Sequence, residues 1–139
     1  MKLAIVGGRD FDDFDRLEKW ANEFDATEIV SGGAKGADTL AETYAKKHGI
    51  KMTVYPAKWD DMSAPCRVKR NSRGEMYNAL AGMNRNTTIV DNCDAIIIFW
   101  NGKSSGTKDT LDKARKAEKK IVLAYYGESL KLGTETQNM

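Results

Sequence analysis

The chain has 139 residues, of which 41% are hydrophobic and 30% charged, and its formal net charge is +2. This length predicts one domain with a core large enough to need no metal or disulfide. No apolar run approaches the roughly 18 residues of a membrane span, and no signal segment precedes the first run, so we expect neither membrane association nor export. Cys66 and Cys93 lack metal-ligand spacing, which favours reduced thiols in a cytoplasmic protein, and we assign it no metal and no cofactor. Because the net charge is small, we do not expect nucleic acid as a partner.

Short apolar runs alternate with segments of helical periodicity along the chain. The runs cover residues 3–6, 28–31, 51–55, 95–99 and 120–125. Apolar residues recur at spacings of three and four between these runs, as on one face of a helix. The runs themselves are continuous, as expected of strands that helices cover on both faces. The pattern predicts an α/β fold with a doubly wound parallel sheet of about five strands.

One domain is predicted over residues 1–127, with a polar insertion at about 59–80 and a tail at 128–139 that we expect to fray after Leu130. The insertion carries a basic cluster, formed by Arg67, Lys69, Arg70 and Arg73. Two interpretations stay open for it. It is either an exposed loop with solvated charges or a lid that brings cations to a site.

Three of the predicted strands end in glycine-rich turns, at residues 7–11, 31–38 and 101–107. In a parallel sheet these turns meet at the carboxyl edge, where doubly wound folds bind ligands. Glycine lets backbone N–H groups approach an anion, and each following helix adds free donors at its start. The turns lack the signatures of nucleoside-triphosphate hydrolases and of ordinary dinucleotide binding. We predict a phosphate-bearing ligand held by Gly8, Arg9, Ser31, Gly32, Gly33, Lys35, Gly36, Asp38, Asn101, Gly102, Lys103, Ser104, Ser105, Gly106 and Thr107.

Four motifs in order resemble those of the YspA-like branch of the SLOG superfamily, which is related to the LOG (lysine-decarboxylase-like) and DprA-like proteins. They are Gly-Gly-Arg-Asp-Phe at 7–11, Ser-Gly-Gly-Ala-Lys-Gly-Ala-Asp at 31–38, Ala-Gly-Met-Asn-Arg-Asn at 81–86 and Gly-Thr at 106–107. The resemblance covers roughly residues 1 to 125. It implies a Rossmann-like fold, a nucleotide or nucleotide-derived ligand, and a homo-oligomer (a dimer or higher). Many small members of the superfamily are phage-encoded.

The resemblance is weaker where catalysis is concerned. LOG-type hydrolases carry Gly-Thr-x-x-Glu, whose glutamate acts with an upstream arginine on an N-glycosidic bond. Arg85 suits that arginine, but Thr110 stands at the glutamate position, and Asp109 would point about 100° away on a helix. We therefore expect a sensor of a nucleotide signal or a protein that sequesters one, as a phage anti-defence protein would. The alternatives are an N-glycosidic phosphoribohydrolase that uses Arg85 with Asp109 or Asp38, and a DprA-like nucleic-acid module that uses the basic insertion.

Several candidate side chains each have two interpretations. Arg85, beside Asn86, is either a phosphate clamp or a surface ion-pair partner, and we favour the clamp. Asp38 either stabilises a helix start or accepts a hydrogen bond from a ribose hydroxyl. Asp10 either caps the first helix or orients Arg9, and we favour the cap. Trp59 either stacks on a base or belongs to the core.

Overall fold

The computed structural model describes residues 1–63 and 65–139. Among these residues, the elements in chain order are β1 (Lys2–Gly7), α1 (Phe14–Ala21), β2 (Glu28–Ser31), α2 (Ala37–His48), β3 (Lys51–Val54), β4 (Val68–Arg70), β5 (Met76–Asn78), α3 (Ala81–Asp91), β6 (Ala95–Trp100), α4 (Ser105–Lys116), β7 (Lys120–Tyr125), a 3-10 helix (Gly127–Leu132) and β8 (Thr134–Gln137).

The central sheet has six strands in the order β3-β2-β1-β6-β7-β8. The first five of these strands are parallel, and β8 pairs with β7 in the antiparallel direction. The chain starts in the middle, builds outwards to β3, and then returns to the other side of β1. This Rossmann-like arrangement confirms the predicted fold class, and it creates a switch in strand order between β1 and β6.

Helices cover both faces of the sheet. On one face, Leu3, Ile97 and Phe99 pack with residues of α1 and α2 such as Leu17 and Tyr44. On the other face, alternate residues of the same strands pack against α3 and α4. The continuous apolar runs are explained by this burial on both sides.

The C-terminal segment is ordered, so the expected fraying is wrong for residues 134–137. Its strand β8 pairs with β7 from Ala124↔Thr134 to Ile121↔Gln137. Arg16 of α1 holds the connection, since its guanidinium donates to the carbonyl of Tyr125 and, at 2.9 Å, to the Thr134 hydroxyl. A polar tail is thereby fixed by a partner far away in the sequence.

The insertion contains a β-hairpin formed by β4 and β5, although Ala64 within it lies outside the described residues. Its organising residue is Asn78, which is fully buried. The Asn78 amide oxygen accepts hydrogen bonds from the N–H groups of Arg67 and Leu80, and its amide nitrogen donates to the carbonyls of Asp61 and Pro65 at 3.1 Å each. One side chain therefore ties together both ends of the hairpin and the start of α3.

The prediction that Asp10 caps the first helix is wrong. Asp13, not Asp10, accepts a hydrogen bond from the Arg16 N–H at 3.1 Å and caps α1. The Asp10 carboxylate instead accepts from the hydroxyl of Tyr126. Since α1 begins at Phe14, Asp10 is too far from it to act as a cap.

Candidate functional site at the carboxyl edge of the sheet

A cavity of about 290 Å³ lies at the carboxyl edge of the sheet, beside the C-terminal end of β1 and the N-terminal end of α4. This is the switch point of the strand order, where open α/β sheets bind ligands. The cavity brings together residues from all four sequence motifs. The predicted ligand residues that line it are Gly8, Arg9, Asp38, Arg85, Asn86, Ser104, Gly106 and Thr107.

The first two glycine-rich loops pack against each other, backbone to backbone. Gly8 donates its N–H to the carbonyl of Phe99 at 3.2 Å, and its own carbonyl accepts from the N–H of Ala37 at 3.3 Å. Gly36 has φ +73°, and a Cβ on it would collide with the carbonyls of Gly8 and Arg9. The Gly8 N–H is therefore already bonded, and Gly36 is required for the contact between the loops.

Asp38 places a buried carboxylate in the cavity wall at the start of α2. It is 5% exposed, and its Oδ2 accepts from the N–H of Ala34 at 3.0 Å. Its Oδ1 has no partner with normal hydrogen-bond geometry among the described residues. Burial raises the pKa of Asp38, against the opposing effect of the Ala34 N–H and the Arg85 guanidinium. This oxygen is buried, and the nearby Gly32 N–H also opposes the rise in the Asp38 pKa. The carboxylate can accept a hydrogen bond, and the protonated acid can donate one.

The start of α4 offers an unused donor to the same cavity through Gly106, and Ser105, just outside the lining, adds another beside it. Ser104 is the N-cap, and its hydroxyl oxygen accepts from the N–H of Thr107 at 3.4 Å. The N–H groups of Ser105 and Gly106 have no hydrogen-bond partner among residues 1–63 and 65–139. A Cβ on Gly106 would meet no atom within 4 Å. Free N–H groups at the positive end of a helix dipole favour an anion at this position.

Arg85 stands across the cavity on α3 and is oriented by two hydrogen bonds. Its Nη1 donates to the carbonyl of Gly32 at 2.8 Å, and its Nε donates to the Asn86 amide oxygen at 3.1 Å. The Asn86 amide nitrogen in turn donates to the carbonyl of Gly106 at 3.3 Å, which links α3 to α4. Within the described part of the chain, Nη2 of Arg85 has no partner and remains available to a phosphate. Among residues 1–63 and 65–139, Arg85 forms none of the ion pairs considered for it.

The residues considered for hydrolysis lie in different environments. Asp109 forms an ion pair with Lys113 at 2.7 Å and accepts from the Asn86 amide at 3.1 Å, so it is turned towards α3. Thr110 lines the cavity at the position of the hydrolases' glutamate, and its hydroxyl donates to the Gly106 carbonyl at 3.3 Å. The carboxylate that lines the cavity is that of Asp38. The role of Asp109 as a catalytic group stays a prediction.

The other predicted ligand residues lie outside the lining of this cavity, and their contacts with a ligand stay predictions. Lys103 pairs with Glu128 at 2.9 Å on the surface. The Asn101 amide oxygen accepts from the N–H groups of Lys103 and Ser104, at 2.9 Å each, and so shapes the loop before α4. Of the remaining ones, Ser31 and Gly32 are buried. The others are exposed, and two of them have a positive φ, Gly33 and Gly102; the other two are Lys35 and Ser105.

Trp59 is found on the insertion, away from the cavity lining. Its side chain is 48% exposed, and its ring meets that of Tyr77 edge to face at a centroid distance of 6.3 Å. Trp59 is thus not a core residue. Base stacking by Trp59 stays a prediction.

Tyr126 was missed by sequence reasoning. Its hydroxyl bonds to the Asp10 carboxylate and lies where a Cβ on Gly8 would be, so it requires glycine there. Burial, and then Asp10, raise the pKa of Tyr126. The two partners are 116 residues apart in sequence, and no local pattern signals such a contact.

The fold and the cavity together define a Rossmann-like domain with an open cavity at the carboxyl edge of its sheet. The model of the YspA, cpYpsA-related SLOG family matches residues 1–61, which confirms the resemblance over the first two motifs. No curated protein matches the chain significantly.

Two solved structures share the fold. DNA processing protein A from Streptococcus pneumoniae has 24% identity and a TM-score of 0.67, over 91% of this chain and 51% of that one. DNA processing protein A from Helicobacter pylori, whose structure describes a single-stranded DNA binding mode, has 20% identity and a TM-score of 0.66, over 99% of this chain and 69% of that one. This chain thus spans about half the length of the Streptococcus protein. Both structures support the Rossmann-like fold of this chain.

The expectation that nucleic acid is an unlikely partner is wrong, because the fold is shared with DNA processing proteins, one of which binds single-stranded DNA. The physical error was to argue from net charge, which averages over the whole surface. Arg67, Lys69, Arg70 and Arg73 are all exposed and make residues 67–73 of the insertion locally basic. In the described residues, no helix is both long and apolar enough to cross a membrane.

Proposed function

We propose that the chain binds a phosphate-bearing nucleotide or nucleotide-derived signalling molecule, and acts as a sensor of that molecule or sequesters it. The observation that carries the proposal is the open start of α4. There the N–H groups of Ser105 and Gly106 have no partner in the described structure, and the space above Gly106 is empty of protein atoms within 4 Å of an added Cβ.

The groups around this position complement the phosphate and the sugar of a nucleotide. The free N–H groups and the spare donors of Arg85 suit phosphate oxygens, because hydrogen bonds between charged groups are the strong ones. Arg9 is exposed at the rim of the cavity and adds a cation. The unpartnered Oδ1 of Asp38 suits a sugar hydroxyl, which can donate to it.

Calorimetry with AMP and with inorganic phosphate tests this proposal through Gly106. A valine there fills the open space, so the Gly106→Val variant is expected to lose binding of both probes. The control is Gly106→Ala, which adds one methyl group and stabilises the helix by about 0.5–1 kcal/mol. We expect it to bind more weakly than the wild type while unfolding at a higher urea concentration. Unchanged affinity in a folded Gly106→Val variant would contradict the proposal.

The physiological ligand and its fate need a second experiment. Mass spectrometry of small molecules released from the purified protein by mild denaturation would identify a ligand that the protein sequesters. Incubation with AMP tests the hydrolase alternative. Steady release of adenine that is lost in Arg85→Ala would make the protein an enzyme, and no release is expected because Thr110 carries no carboxylate.

Single-stranded nucleic acid is a second candidate ligand, favoured by one face of the insertion hairpin. Lys69 lies opposite Tyr77 in the β4–β5 pair, and Arg67 precedes Lys69 by two residues on the same side. The Trp59 ring meets Tyr77 on that face. Exposed cations interleaved with aromatic rings are the usual means of binding single strands without sequence preference.

Fluorescence anisotropy with a labelled deoxythymidine oligonucleotide tests this candidate. Binding that weakens steeply with salt, and that is lost in a Lys69→Glu and Tyr77→Ala double variant, would support it. The matched control is Lys116→Glu, an equal charge change on α4. If the oligonucleotide binds the double variant and the wild type equally, the hairpin is not the interface.

A further inference from the structure

A second cavity, of about 340 Å³, lies beside the end of β3. The residues after β3 form one of its walls, and α3 forms another. Arg85 lines this cavity as well as the first one, so its side chain is a wall common to both. The volume falls in the range of about 300–1,000 Å³ that small-molecule sites occupy.

The walls of the second cavity are chemically unlike those of the first. Val54, Tyr55, Pro56 and Ala81 give it an apolar and aromatic surface. The glycine-rich loops and the start of α4, which supply the anion donors, do not line it. This surface suits a flat, uncharged ring better than a phosphate.

A few polar groups at the same place suit the edge of such a ring. The Asn84 amide nitrogen is held by the carbonyl of Pro65 at 2.7 Å, which fixes the amide and leaves its oxygen without a partner in the described part of the chain. Thr88 lies one helical turn further along α3 and donates its hydroxyl to the Asn84 carbonyl at 3.2 Å. Lys58 and Asp61 add one charge of each sign to the lining, beside Arg85. An apolar slot with a small number of fixed polar groups is the usual design of a specific ligand site.

We propose that the second cavity holds the heterocyclic base of a nucleotide whose phosphate lies at the start of α4. The inference rests on the proposed function and narrows it, since the preferred ligand class becomes nucleoside phosphates, with sugar phosphates that lack a base bound more weakly. The shared Arg85 makes the two cavities adjacent, so that one ligand spans them along its guanidinium. The base then determines which nucleotide is preferred, and the phosphate contributes affinity that all nucleotides share.

The test fills the second cavity from α3 and leaves the first one intact. Thr88→Leu adds bulk to the lining. Thr87→Leu is the matched control, because Thr87 is its exposed neighbour and makes the same type of bond, to the carbonyl four residues earlier, at 3.1 Å. Calorimetry compares inorganic phosphate, ribose 5-phosphate and the nucleoside monophosphates AMP, GMP, CMP and UMP. Tyr55→Ala, which removes the ring, is measured as well, in case Thr88→Leu does not fold.

We expect the wild type to bind at least one nucleoside monophosphate about five- to a hundredfold more tightly than ribose 5-phosphate. Thr88→Leu and Tyr55→Ala should remove this preference and keep the affinity for ribose 5-phosphate, whereas Thr87→Leu should keep both. A wild type without the preference, or a preference that survives in both cavity variants, overturns the inference.

The proposed function fails separately from this inference. If neither phosphate nor ribose 5-phosphate binds but a nucleoside monophosphate does, and Thr88→Leu abolishes that binding, the base compartment stands without the phosphate site. If none of the four nucleoside monophosphates binds, both the inference and the proposed function are overturned.

Discussion

The starts of α2 and α4 look alike in sequence, since each follows a strand through a glycine-rich turn, but they differ in the structure. At α2, the N–H of Ala37 is bonded to the Gly8 carbonyl, and the carboxylate of Asp38 is buried in the first turn. Each start has two backbone N–H groups without a partner among the described residues, those of Asp38 and Thr39 at α2 and those of Ser105 and Gly106 at α4. The two starts differ because the first turn of α2 carries the Asp38 carboxylate, whereas α4 is capped by a serine and has no acidic residue in its first turn.

The difference shows that glycine in such turns serves two purposes that sequence does not separate. Gly36 is needed because loops of the protein pass too close for a side chain. Gly106 has open space above it. We infer that an anion binds at α4, while α2 supplies a rigid wall and a hydroxyl acceptor.

The largest expected effect is on the free energy of unfolding, at the glycine that precedes α2. Gly36→Ala introduces a Cβ against backbone carbonyls at a residue with φ +73°, so we expect a loss of about 2–5 kcal/mol in the free energy of unfolding. The control is Gly49→Ala, where φ is +63° but nothing lies within 4 Å, and where only about 1–2 kcal/mol should be lost. Urea denaturation measures both. Equal losses would mean that the contact between the loops contributes nothing.

The next effect concerns affinity. Arg85→Ala removes charged hydrogen-bond donors from the cavity, and such bonds contribute about 1.5–3 kcal/mol, so affinity for AMP should fall roughly ten- to a hundredfold. Calorimetry measures it, with circular dichroism to check the fold, because Arg85 also holds the Gly32 carbonyl. An affinity within twofold of the wild type would place the phosphate elsewhere.

A smaller effect is expected at Asp38. Burial raises its pKa, so the folded protein keeps this proton to a higher pH than the unfolded chain does. As the pH rises from about 4, the unfolded chain ionises first, and stability falls until the folded group ionises as well. Asp38→Asn should remove that fall, so its stability relative to the wild type should grow over this pH range. Urea denaturation between pH 4 and 8 checks it, and a constant difference would show that Asp38 is not the titrating group.

The smallest effect on equilibrium affinity is expected from the insertion. Replacing Arg67, Lys69 and Arg70 with glutamine together should slow association of AMP and weaken its salt dependence, because exposed charges act at long range and are screened. Stopped-flow binding at several salt concentrations measures this. Complete loss of AMP binding, with Arg85→Ala still binding, would move the site under the hairpin.

The sheet could be predicted from the sequence because each parallel strand is a local apolar run with helical periodicity after it. The run at 95–99, for example, became β6, which is longer by one residue. Strand β8 could not be predicted, since Thr-Glu-Thr-Gln has no apolar pattern and its position depends on Arg16. The site was predicted at the level of its loops. Which glycines face a ligand depends on contacts between loops, such as that of Gly8 with Ala37, and these are not local.

The polar strand β8 has a consequence for the solubility of shortened forms of the protein. It covers the backbone edge of β7, whose residues Ile121, Val122 and Leu123 are fully buried. A chain cut after Gly127 would expose an apolar edge strand with free N–H and carbonyl groups, which is a template for pairing with another molecule. Such a truncated form should aggregate through β7, whereas the intact edge presents Glu135 and its threonine neighbours to water.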